Sequence, residues 1–571
     1  MDNRELRFFS LRSAMILLYC VVVAVIPLAL RMRLVEFHAP VETWQRLGSA
    51  ASLEVFAQFR LELLVIAGIC IAITALLKIY YDADKKIAPA DSYAGYPAAL
   101  FAFLVVLSAL CSPYIRIAFW GYPDRAEGAF AYLFYLLIFL VAANLLNAEI
   151  DKKIIFYVAI AAGLLQSGIA ISQFFGFDLL KSALAQRLFI PPEYAEMVGD
   201  VEFIFTNKAY GTTYNPNYLG GYMAMILPMV FVRYLFARNG REMVFWLLAL
   251  FVTTAGFLAP TSIGAFVAVV AVLLVFFLLT AGQIRRYYPK LLCALLIFVA
   301  VAGFSEMLSG GMISRKFISF YSRMQDLPLA AVSQQDDGYV EGEGPAASRP
   351  GSEQGSVLIP EAGKAGDGGT GIGDAGDDAG KPGPASMPKL TPATDREKIV
   401  LGLDRHPLDS FASHRGYIWR KTWQMMLQDN LLLGSGFDTF VYNFPHWDPH
   451  RDHGLFRIGL LIDKPHNTYL QIGTGAGFLA LLVYLFLLGV HGFHYIRVYR
   501  ERGLQAESDI IMLALFAGWL GYLLQGLSND SVLSNAPVFW ALFGLSVNYV
   551  QNHLNSEGRE SRRPTVKKRS R

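Results

Sequence analysis

The chain has 571 residues, of which 54% are apolar and only 17% are charged, and its formal net charge is +3. Charged residues make up about a quarter of a typical soluble domain, so the bulk of this chain is expected to lie in lipid. The small net charge gives no support for nucleic-acid binding. Neither a disulfide framework nor a zinc site is indicated, because every cysteine lies inside or at the end of an apolar run. These cysteines are Cys20, Cys70, Cys111 and Cys293.

Twelve apolar runs are long enough to cross a bilayer, which takes roughly 20 residues at about 1.5 Å per residue. The first run follows Arg4, Arg7 and Arg12 and ends without a clear small-residue cleavage site, so it is predicted to be an uncleaved span. The sequence therefore predicts an all-α polytopic membrane protein. The runs lie near residues 13–31, 60–80, 96–114, 129–147, 153–175, 217–237, 243–259, 262–282, 289–308, 466–496, 508–527 and 535–553.

The connections between these spans alternate in charge. One set, together with both termini, is rich in Lys and Arg, and the positive-inside rule places that set in the cytoplasm. The predicted order is nine spans within 1–308, a large extracytoplasmic loop over 309–465, three spans within 466–553, and a basic cytoplasmic tail at 554–571. Both termini are therefore expected in the cytoplasm.

The large loop contains two kinds of sequence. Residues 333–397 hold almost no large apolar side chains and are predicted to be a disordered insert. Residues 398–465 are expected to be ordered and partly helical. Within them, 415–429 is predicted to form a helix that lies on the outer membrane surface. Its apolar stripe consists of Trp419, Trp423 and Met426.

Three histidines of the same loop, His446, His450 and His453, raise the question of a metal site. Pro449 breaks any helix that would align them. They are therefore predicted to belong to a solvated loop, and neither a metal nor a cofactor is expected.

The segment DKPHNTYLQIGTGAGFLALL opens the tenth predicted span. Pro465 is predicted to lie in the first helical turn, which places His466 at the outer end of the span, where free N–H groups favour an anion. Gly473 and Gly477 are four residues apart and are predicted to leave one helix face bare, so that another helix can approach. This arrangement would hold the histidine rigidly at the membrane boundary.

Several motifs of the chain fit one recognisable pattern. They are HN followed nine residues later by GFLA, SHRGYIWRKTWQMMLQDNLLLGSGFDTF, TTYNPNYLGGYMAMILP and FWGYPDRAEGAFAYLFY. In order and spacing they resemble the O-antigen ligase and polymerase family of bacterial membrane glycosyltransferases. The signature of that family reads HN-x9-GxxG, so Ala480 stands in place of its last glycine. In LAPTSIGAFVAVV, Ile263 stands where many members carry an arginine.

The resemblance implies a GT-C-like helical fold and a metal-independent, inverting transfer of a glycan from undecaprenyl diphosphate. By the same resemblance, His466 acts as the base or positions the acceptor, and Arg415 contacts the diphosphate. Without a metal, the leaving group needs cationic side chains. Since Ile263 removes one expected phosphate contact, Arg125 and Arg187 are the candidates to supply positive charge.

Three asparagines are candidate substrate-binding residues. Asn467 belongs to the HN motif. Asn215 and Asn217 flank a proline at the start of the sixth predicted span, where they either cap the helix or contact substrate. The partners implied by the resemblance are an undecaprenyl-diphosphate-linked glycan donor, a glycan, lipid or protein acceptor, and the lipid bilayer. The expected location is the bacterial inner membrane.

Several functions stay open at this point. An acceptor that is itself a lipid-linked glycan would make the protein a polymerase, whereas lipid A core, a wall polymer or a protein would make it a ligase. A twelve-span transporter is the alternative from another class, although no convincing internal repeat is found. The few ionisable residues of the spans, such as Arg233, Glu306 and His491, lie near span ends. A non-catalytic relative also stays open because of Ile263.

Overall fold

The computed structural model describes residues 3–36, 51–81, 92–195, 198, 208–282, 284–325, 409, 411–428, 430–445 and 462–561. Helix α1 (Asn3–Cys20) continues through a π-helical turn (Val21–Val25) and a short helix (Ile26–Leu28). The later elements are β1 (Arg33–Glu36), β2 (Ala51–Glu54), α2 (Gln58–Tyr81), α3 (Gly95–Cys111), α4 (Ile115–Trp120), α5 (Ala129–Leu145), α6 (Glu149–Phe174), α7 (Ala183–Phe189), α8 (Pro216–Leu235), α9 (Gly240–Leu258), α10 (Ile263–Thr280), α11 (Ile284–Leu308), α12 (Met312–Gln325), α13 (Phe411–Gln428), α14 (Phe440–Asn443), α15 (Thr468–Arg502), α16 (Glu507–Gln525) and α17 (Ala536–Ser561).

Long apolar helices make up most of the described chain, as the sequence predicts. Nine of them are long and apolar enough to cross a membrane: the stretch Ser10–Leu28 together with α2, α6, α8, α9, α10, α11, α15 and α16. The other three predicted spans fall on α3, α5 and α17. The protein is thus a polytopic helical membrane protein, while the count of twelve spans stays a prediction. Helix α8 lies at the centre of the bundle, with its apolar stretch wholly covered by other parts of the chain.

Loops from the two predicted sides of the membrane lie at opposite ends of the bundle. At one end, Arg12 pairs with Asp151 at 2.7 Å and Lys153 pairs with Glu507 at 2.9 Å. The other end, called the His466 end here, gathers the loops 121–128, 208–215, 259–262, 430–445, 462–467 and 526–535. The loops predicted to face outward therefore meet one another, because the helices between them cross the bundle.

A small β-sheet departs from the purely helical prediction. Strands β1 and β2 pair antiparallel, with Leu34 opposite Leu53 and Val35 opposite Ser52. Val35 and Leu53 are buried. Strands of four residues carry too short an alternation of apolar and polar residues to be distinguished from a loop in the sequence.

Helix α15 is broken near its first third. Gly477 has φ 87° and ψ 170°, and a Cβ there would lie 2.1 Å from the carbonyl oxygen of Leu432. The segment 431–436 fills the break, because Phe478 N donates to Leu431 O at 2.7 Å and Ser435 N donates to Thr474 O at 2.9 Å. The close approach predicted at Gly477 is therefore present, but it is made by this segment and not by another helix, at a point where α15 is not continuous.

The prediction for Gly473 holds, since a Cβ there would lie 2.6 Å from the methyl group of Met426 on α13. Helix α13 therefore packs closely on the first turns of α15. Trp419 also faces the protein, because its Nε1 donates to the Pro465 carbonyl at 3.0 Å. Of the predicted surface stripe, Trp423 alone is exposed.

Two predictions concern residues outside the described part of the chain. These are the disordered insert 333–397 and the histidine-rich stretch with His446, His450 and His453.

Candidate active site

Backbone strain is concentrated at the His466 end. Of the described residues other than glycine, six have a positive φ: Ala126, Tyr214, Thr261, Ala412, Asp438 and His466. All six lie in the loops of this end or on α13, which packs on them. Such conformations cost on the order of 1–3 kcal/mol each, persist only where tertiary contacts hold them, and tend to cluster at functional sites. This end of the bundle is therefore the candidate location of a functional site.

His466 faces a buried carboxylate. Its Nδ1 lies 3.2 Å from Oδ2 of Asp530, whose side chain is fully buried. Burial by itself raises the pKa of Asp530, but the contact with His466 and the charges of His466 and Arg125 outweigh it and lower the pKa to about 2. Asp530 is therefore ionised at neutral pH and orients the imidazole.

The turn that carries His466 differs in one detail from the prediction. Helix α15 begins at Thr468, so Pro465 and His466 precede the helix instead of forming its first turn. Asn467 is the N-cap, because its Oδ1 accepts from Tyr469 N at 2.9 Å and from Leu470 N at 3.0 Å. The capping asparagine starts the helix after the proline and so fixes the position of the histidine.

The loop that carries Asp530 is tied to the same turn. Asn467 Nδ2 donates to Leu527 O at 2.8 Å, and Thr468 N donates to Gly526 O at 2.9 Å. Thr468 Oγ1 donates to Asn529 O at 2.9 Å. The side chain of Asn467 thus contacts both the first turn of α15 and the 526–535 loop, which makes it a positioning residue for the His466–Asp530 pair.

Arg415 reaches the same loop from α13. Its Nη1 donates to the carbonyl oxygen of Ser528 at 2.5 Å, two residues before Asp530. The hydrogen bond from Trp419 to the Pro465 carbonyl holds α13 against the His466 turn. The structure thus brings together the two residues that the resemblance selected, although they are 51 positions apart in the sequence.

Arg125 is buried in an ion pair. Its Nε lies 3.2 Å from Oδ1 of Asp438, and Oδ2 of Asp438 accepts from Tyr122 N at 3.1 Å and Glu127 N at 2.9 Å. Burial lowers the pKa of Arg125, but the charges of Asp438 and Asp530 outweigh it and hold the pKa well above its ordinary value. Arg125 therefore stays charged, and Asp438 counters that charge.

Glu127 is the hub of a buried polar network next to this pair. Its carboxylate accepts from Ser531 Oγ at 2.6 Å, from Tyr135 Oη at 3.0 Å and from Gln471 Nε2 at 3.1 Å. Burial and the charge of Asp438 raise its pKa from 4.5 to about 7. The network joins the 121–128 loop to α15 and to the 526–535 loop.

The raised pKa of Glu127 predicts a pH dependence of stability. The folded protein binds a proton here that the unfolded chain releases, so the stabilisation is complete below pH 4.5 and is lost as the pH rises through about 7. One pKa unit corresponds to about 1.4 kcal/mol, so the difference between 4.5 and about 7 amounts to at most roughly 3.5 kcal/mol. We expect the apparent melting temperature of the solubilised protein to fall between pH 6 and pH 8, and to fall less in Glu127→Gln, which stays uncharged.

The pKa of Glu54 is also raised to about 7, by burial, so part of the slope should remain in that variant. The double variant Glu54→Gln/Glu127→Gln should flatten the slope further. Equal slopes in the wild type and in Glu127→Gln would contradict the assignment.

Of the remaining predicted residues, Asn215 and Asn217 lie at this end of the bundle, whereas Arg187 is not brought to His466. Asn215 caps α8, since its Oδ1 accepts from Asn217 N at 2.8 Å. Asn217 joins the Asp530 loop, because its carbonyl accepts from Asn529 Nδ2 at 3.1 Å. Arg187 is exposed on α7, and no contact within the described part of the chain brings it to His466.

A lysine that the sequence reading missed also lies at this end. Lys316 on α12 donates from Nζ to the carbonyl oxygen of Thr261 at 3.2 Å and also to its Oγ1. Burial, with a further contribution from the charge of Lys208, lowers the pKa of Lys316 to about 8. Thr261 belongs to the turn that precedes Ile263.

The turn beside Lys316 also approaches the loop held by Arg415. A Cβ on Gly264 would lie 2.1 Å from Oγ of Ser528, whose carbonyl accepts from Arg415. Lys208, Lys316 and Arg415, called the basic cluster here, thus surround one small region. In the sequence, the signal for Lys316 is the amphipathic segment MISRKFISFYSRMQ, which lies inside the predicted large loop.

Asp438 and Asp530 were also missed in the sequence. Each lies in a loop predicted to face outward, Asp438 in GFD and Asp530 in SND. A lone aspartate in a turn is common, and only its burial beside a cation distinguishes it. Among the described residues, no group of three or more His, Cys, Asp or Glu side chains is placed to hold a metal ion.

The fold and this site define a polytopic helical membrane protein with a polar, partly buried site at one end, built around an imidazole, a carboxylate and several cations. Residues 247–485 match the family model described as O-antigen ligase. The resemblance read from the motifs is thereby confirmed. No curated protein matches the chain.

The matched region contains Ile263, Lys316, Arg415, His466 and the break at Gly477. Arg125, Asn217 and Asp530 lie outside it. At the level of the family, the protein is a membrane enzyme that processes glycans, and the family implies a lipid-linked glycan as substrate.

Proposed function

We propose that this protein transfers a glycan from undecaprenyl diphosphate to an acceptor hydroxyl on the outer side of the bacterial inner membrane. The observation that carries the proposal is the meeting of His466, Asp530 and Arg415 at one end of the bundle. It supplies a general base, a carboxylate that orients the base, and a cation for phosphate within one site.

In this mechanism the acceptor hydroxyl gives its proton to Nε2 of His466, because Asp530 takes the Nδ1 side of the ring. The acceptor oxygen then forms a bond to the anomeric carbon of the donor sugar. The bond from that carbon to the diphosphate oxygen breaks, and undecaprenyl diphosphate leaves with the electron pair. Attack from the side opposite the leaving group inverts the anomeric centre. Asp530 stabilises the imidazolium that forms, as a buried carboxylate does in a Ser-His-Asp triad.

The leaving diphosphate needs positive charge, which the basic cluster supplies in this mechanism. Arg415 offers a guanidinium suited to bidentate phosphate contacts. Lys316 offers a second cation at the turn where Ile263 replaces the arginine of many family members. Partial burial and the nearby charge of Lys208 both disfavour the charged form of Lys316. A bound anion would offset both effects and stabilise the charged lysine.

Removal of Lys316 is expected to weaken binding of the diphosphate. A hydrogen bond to a charged group contributes about 1.5–3 kcal/mol, so Lys316→Met should raise the Kd for undecaprenyl diphosphate by roughly tenfold or more. Lys316→Arg should keep most of the affinity. The measurement is binding of labelled undecaprenyl diphosphate to the purified full-length protein in nanodiscs.

The matched control for this prediction is Arg315→Met. Arg315 is the neighbouring basic residue, but it is exposed and its guanidinium bonds the carbonyls of Gly310 and Gly311. It should leave the affinity unchanged. An unchanged Kd in Lys316→Met would remove Lys316 from the diphosphate site.

The topology needed for this function places both termini in the cytoplasm and the His466 end outside. The alternating charge of the loops and their segregation to the two ends of the bundle support it. A periplasmic reporter fused near position 440 should be active. A cytosolic position for that fusion would separate the site from its extracytoplasmic substrate and end the proposal.

Deletion of the gene tests the function directly. Cells without the protein should accumulate undecaprenyl-linked glycan, and a plasmid with the wild-type gene should clear it. If the protein is a ligase, long chains remain on the lipid carrier and the acceptor lacks glycan. If it is a polymerase, the acceptor carries single repeat units. Unchanged lipid-linked and surface glycans in the deletion strain would disprove both.

A further inference from the structure

A pocket opens next to His466, on the side away from the basic cluster. It lies between the start of α2, the 121–128 loop, the start of α8 and residues 531–534, and its mouth opens to solvent. Asp463 and Lys464 line it just before His466, and Ser531 lines it directly after Asp530. Burial raises the pKa of Asp463, but the charges of Lys464, Arg125 and His466 outweigh it and lower the pKa. The histidine is therefore close to this wall of the pocket.

The charges that line the pocket are balanced. Its described lining residues include three cations and four carboxyl groups. The cations are countered by Asp438 at 3.2 Å from Arg125, by Asp463 at 3.3 Å from Lys464, and by the carbonyls of Ile26, Pro27 and Thr212 around Arg60. A diphosphate carries several negative charges and would find each of these three cations already held by a partner, so the pocket is a poor site for it.

The remaining lining suits an uncharged sugar. The rings of Tyr214 and Tyr218 have centroids 6.3 Å apart, and the ring of Phe56 lies 5.4 Å from that of Tyr214. Aromatic faces pack against the apolar faces of a sugar ring, and carboxylates and hydroxyls exchange hydrogen bonds with its hydroxyl groups. A pocket of apolar walls with a few fixed polar groups is typical of small-ligand sites.

The start of α8 separates this pocket from the basic cluster. Tyr218 lines the pocket, whereas Asn217 faces Ser262 at 3.1 Å and Asn529 at 3.1 Å on the other side. The His466–Asp530 pair therefore lies between a cationic region and a balanced pocket. In an inverting transfer the attacking oxygen approaches opposite the leaving group, so the two substrates enter from such opposed sides.

We propose that this pocket, the acceptor pocket, binds the uncharged sugar whose hydroxyl attacks the donor, while the diphosphate lies at the basic cluster. The proposal rests on the proposed function and deepens it. In this arrangement the hydroxyl proton goes to His466, the new glycosidic bond forms on the pocket side, and the diphosphate departs on the Arg415 side.

Two variants of the full-length protein test the acceptor pocket. Ala57→Phe fills it, and Tyr218→Leu removes one of its rings; both residues line it. Leu184→Phe, at an exposed position of α7, is the matched control. Size-exclusion profiles in detergent establish that each variant is folded. The readouts are glycan transfer in the deletion strain and binding of labelled undecaprenyl diphosphate in nanodiscs, with its displacement by lipid-linked glycan extracted from the deletion strain.

We expect transfer to fall at least tenfold in both pocket variants, while binding of undecaprenyl diphosphate and its displacement by the extract stay within twofold of the wild type. Transfer at the wild-type rate in either folded variant would overturn the proposal. Weaker binding of undecaprenyl diphosphate would put the diphosphate in the pocket, and poorer displacement by the extract would put the donor sugar there; each result overturns it. A wild-type protein that binds no undecaprenyl diphosphate, with unchanged glycans in the deletion strain, would instead refute the proposed function.

Discussion

His466→Ala is expected to abolish most glycan transfer while the protein still inserts in the membrane. General bases contribute roughly 10²–10⁴-fold to rate, and here the base also faces a fixed carboxylate. Asp530→Asn should lower the rate less, because the imidazole remains but loses its orientation and the charge that stabilises the imidazolium. The measurement is the amount of undecaprenyl-linked glycan and of finished surface glycan in deletion cells that express each variant.

The control for this result is His494→Ala. His494 lies on the same helix α15 but packs on Tyr93 at the opposite end of the bundle, with ring centroids 4.6 Å apart. It should support transfer like the wild type. A wild-type glycan profile from His466→Ala cells would remove the assignment of His466 as the base. A defect in His494→Ala as large as that in His466→Ala would mean that loss of either histidine harms the fold.

Asp438→Ala is expected to have the largest effect on stability. It would leave the buried Arg125 without its nearest countercharge, and the N–H groups of Tyr122 and Glu127 without their acceptor. Removing one partner of a buried ion pair costs about 3–5 kcal/mol. Arg125→Met should cost less, because Asp438 would keep both N–H donors. The measurement is the melting temperature and yield of the solubilised protein by fluorescence size-exclusion chromatography.

The double variant Arg125→Met/Asp438→Asn provides the control. It removes both charges and keeps an oxygen that accepts from the two N–H groups, so it should be more stable than Asp438→Ala. If Asp438→Ala and Arg125→Met destabilise equally, the two backbone contacts of Asp438 contribute little. If neither destabilises, the pair is not a structural element of the 121–128 loop.

Much of the fold could be predicted because the bilayer imposes it. A span requires about 20 apolar residues, and the described long helices fall on predicted runs. The strand pair and the break at Gly477 could not be predicted in this way. The break depends on the segment 431–436, whose backbone supplies the hydrogen bonds that α15 forgoes, and nothing local to Gly477 indicates which segment arrives there.

The amino-acid sequence alone indicates the membrane character, the alternating charge of the loops, the motifs of the family, and two residues of the candidate site, His466 and Arg415. These are properties of composition, spacing and order along the chain. The folded protein was needed to find that Asp530 faces His466, that Asp438 counters the charge of Arg125, and that Lys316 reaches the turn before Ile263. Each of these contacts joins elements far apart in the sequence. The partner of a charged loop residue is set by how the helices pack and exclude water around both residues, which the local sequence does not specify.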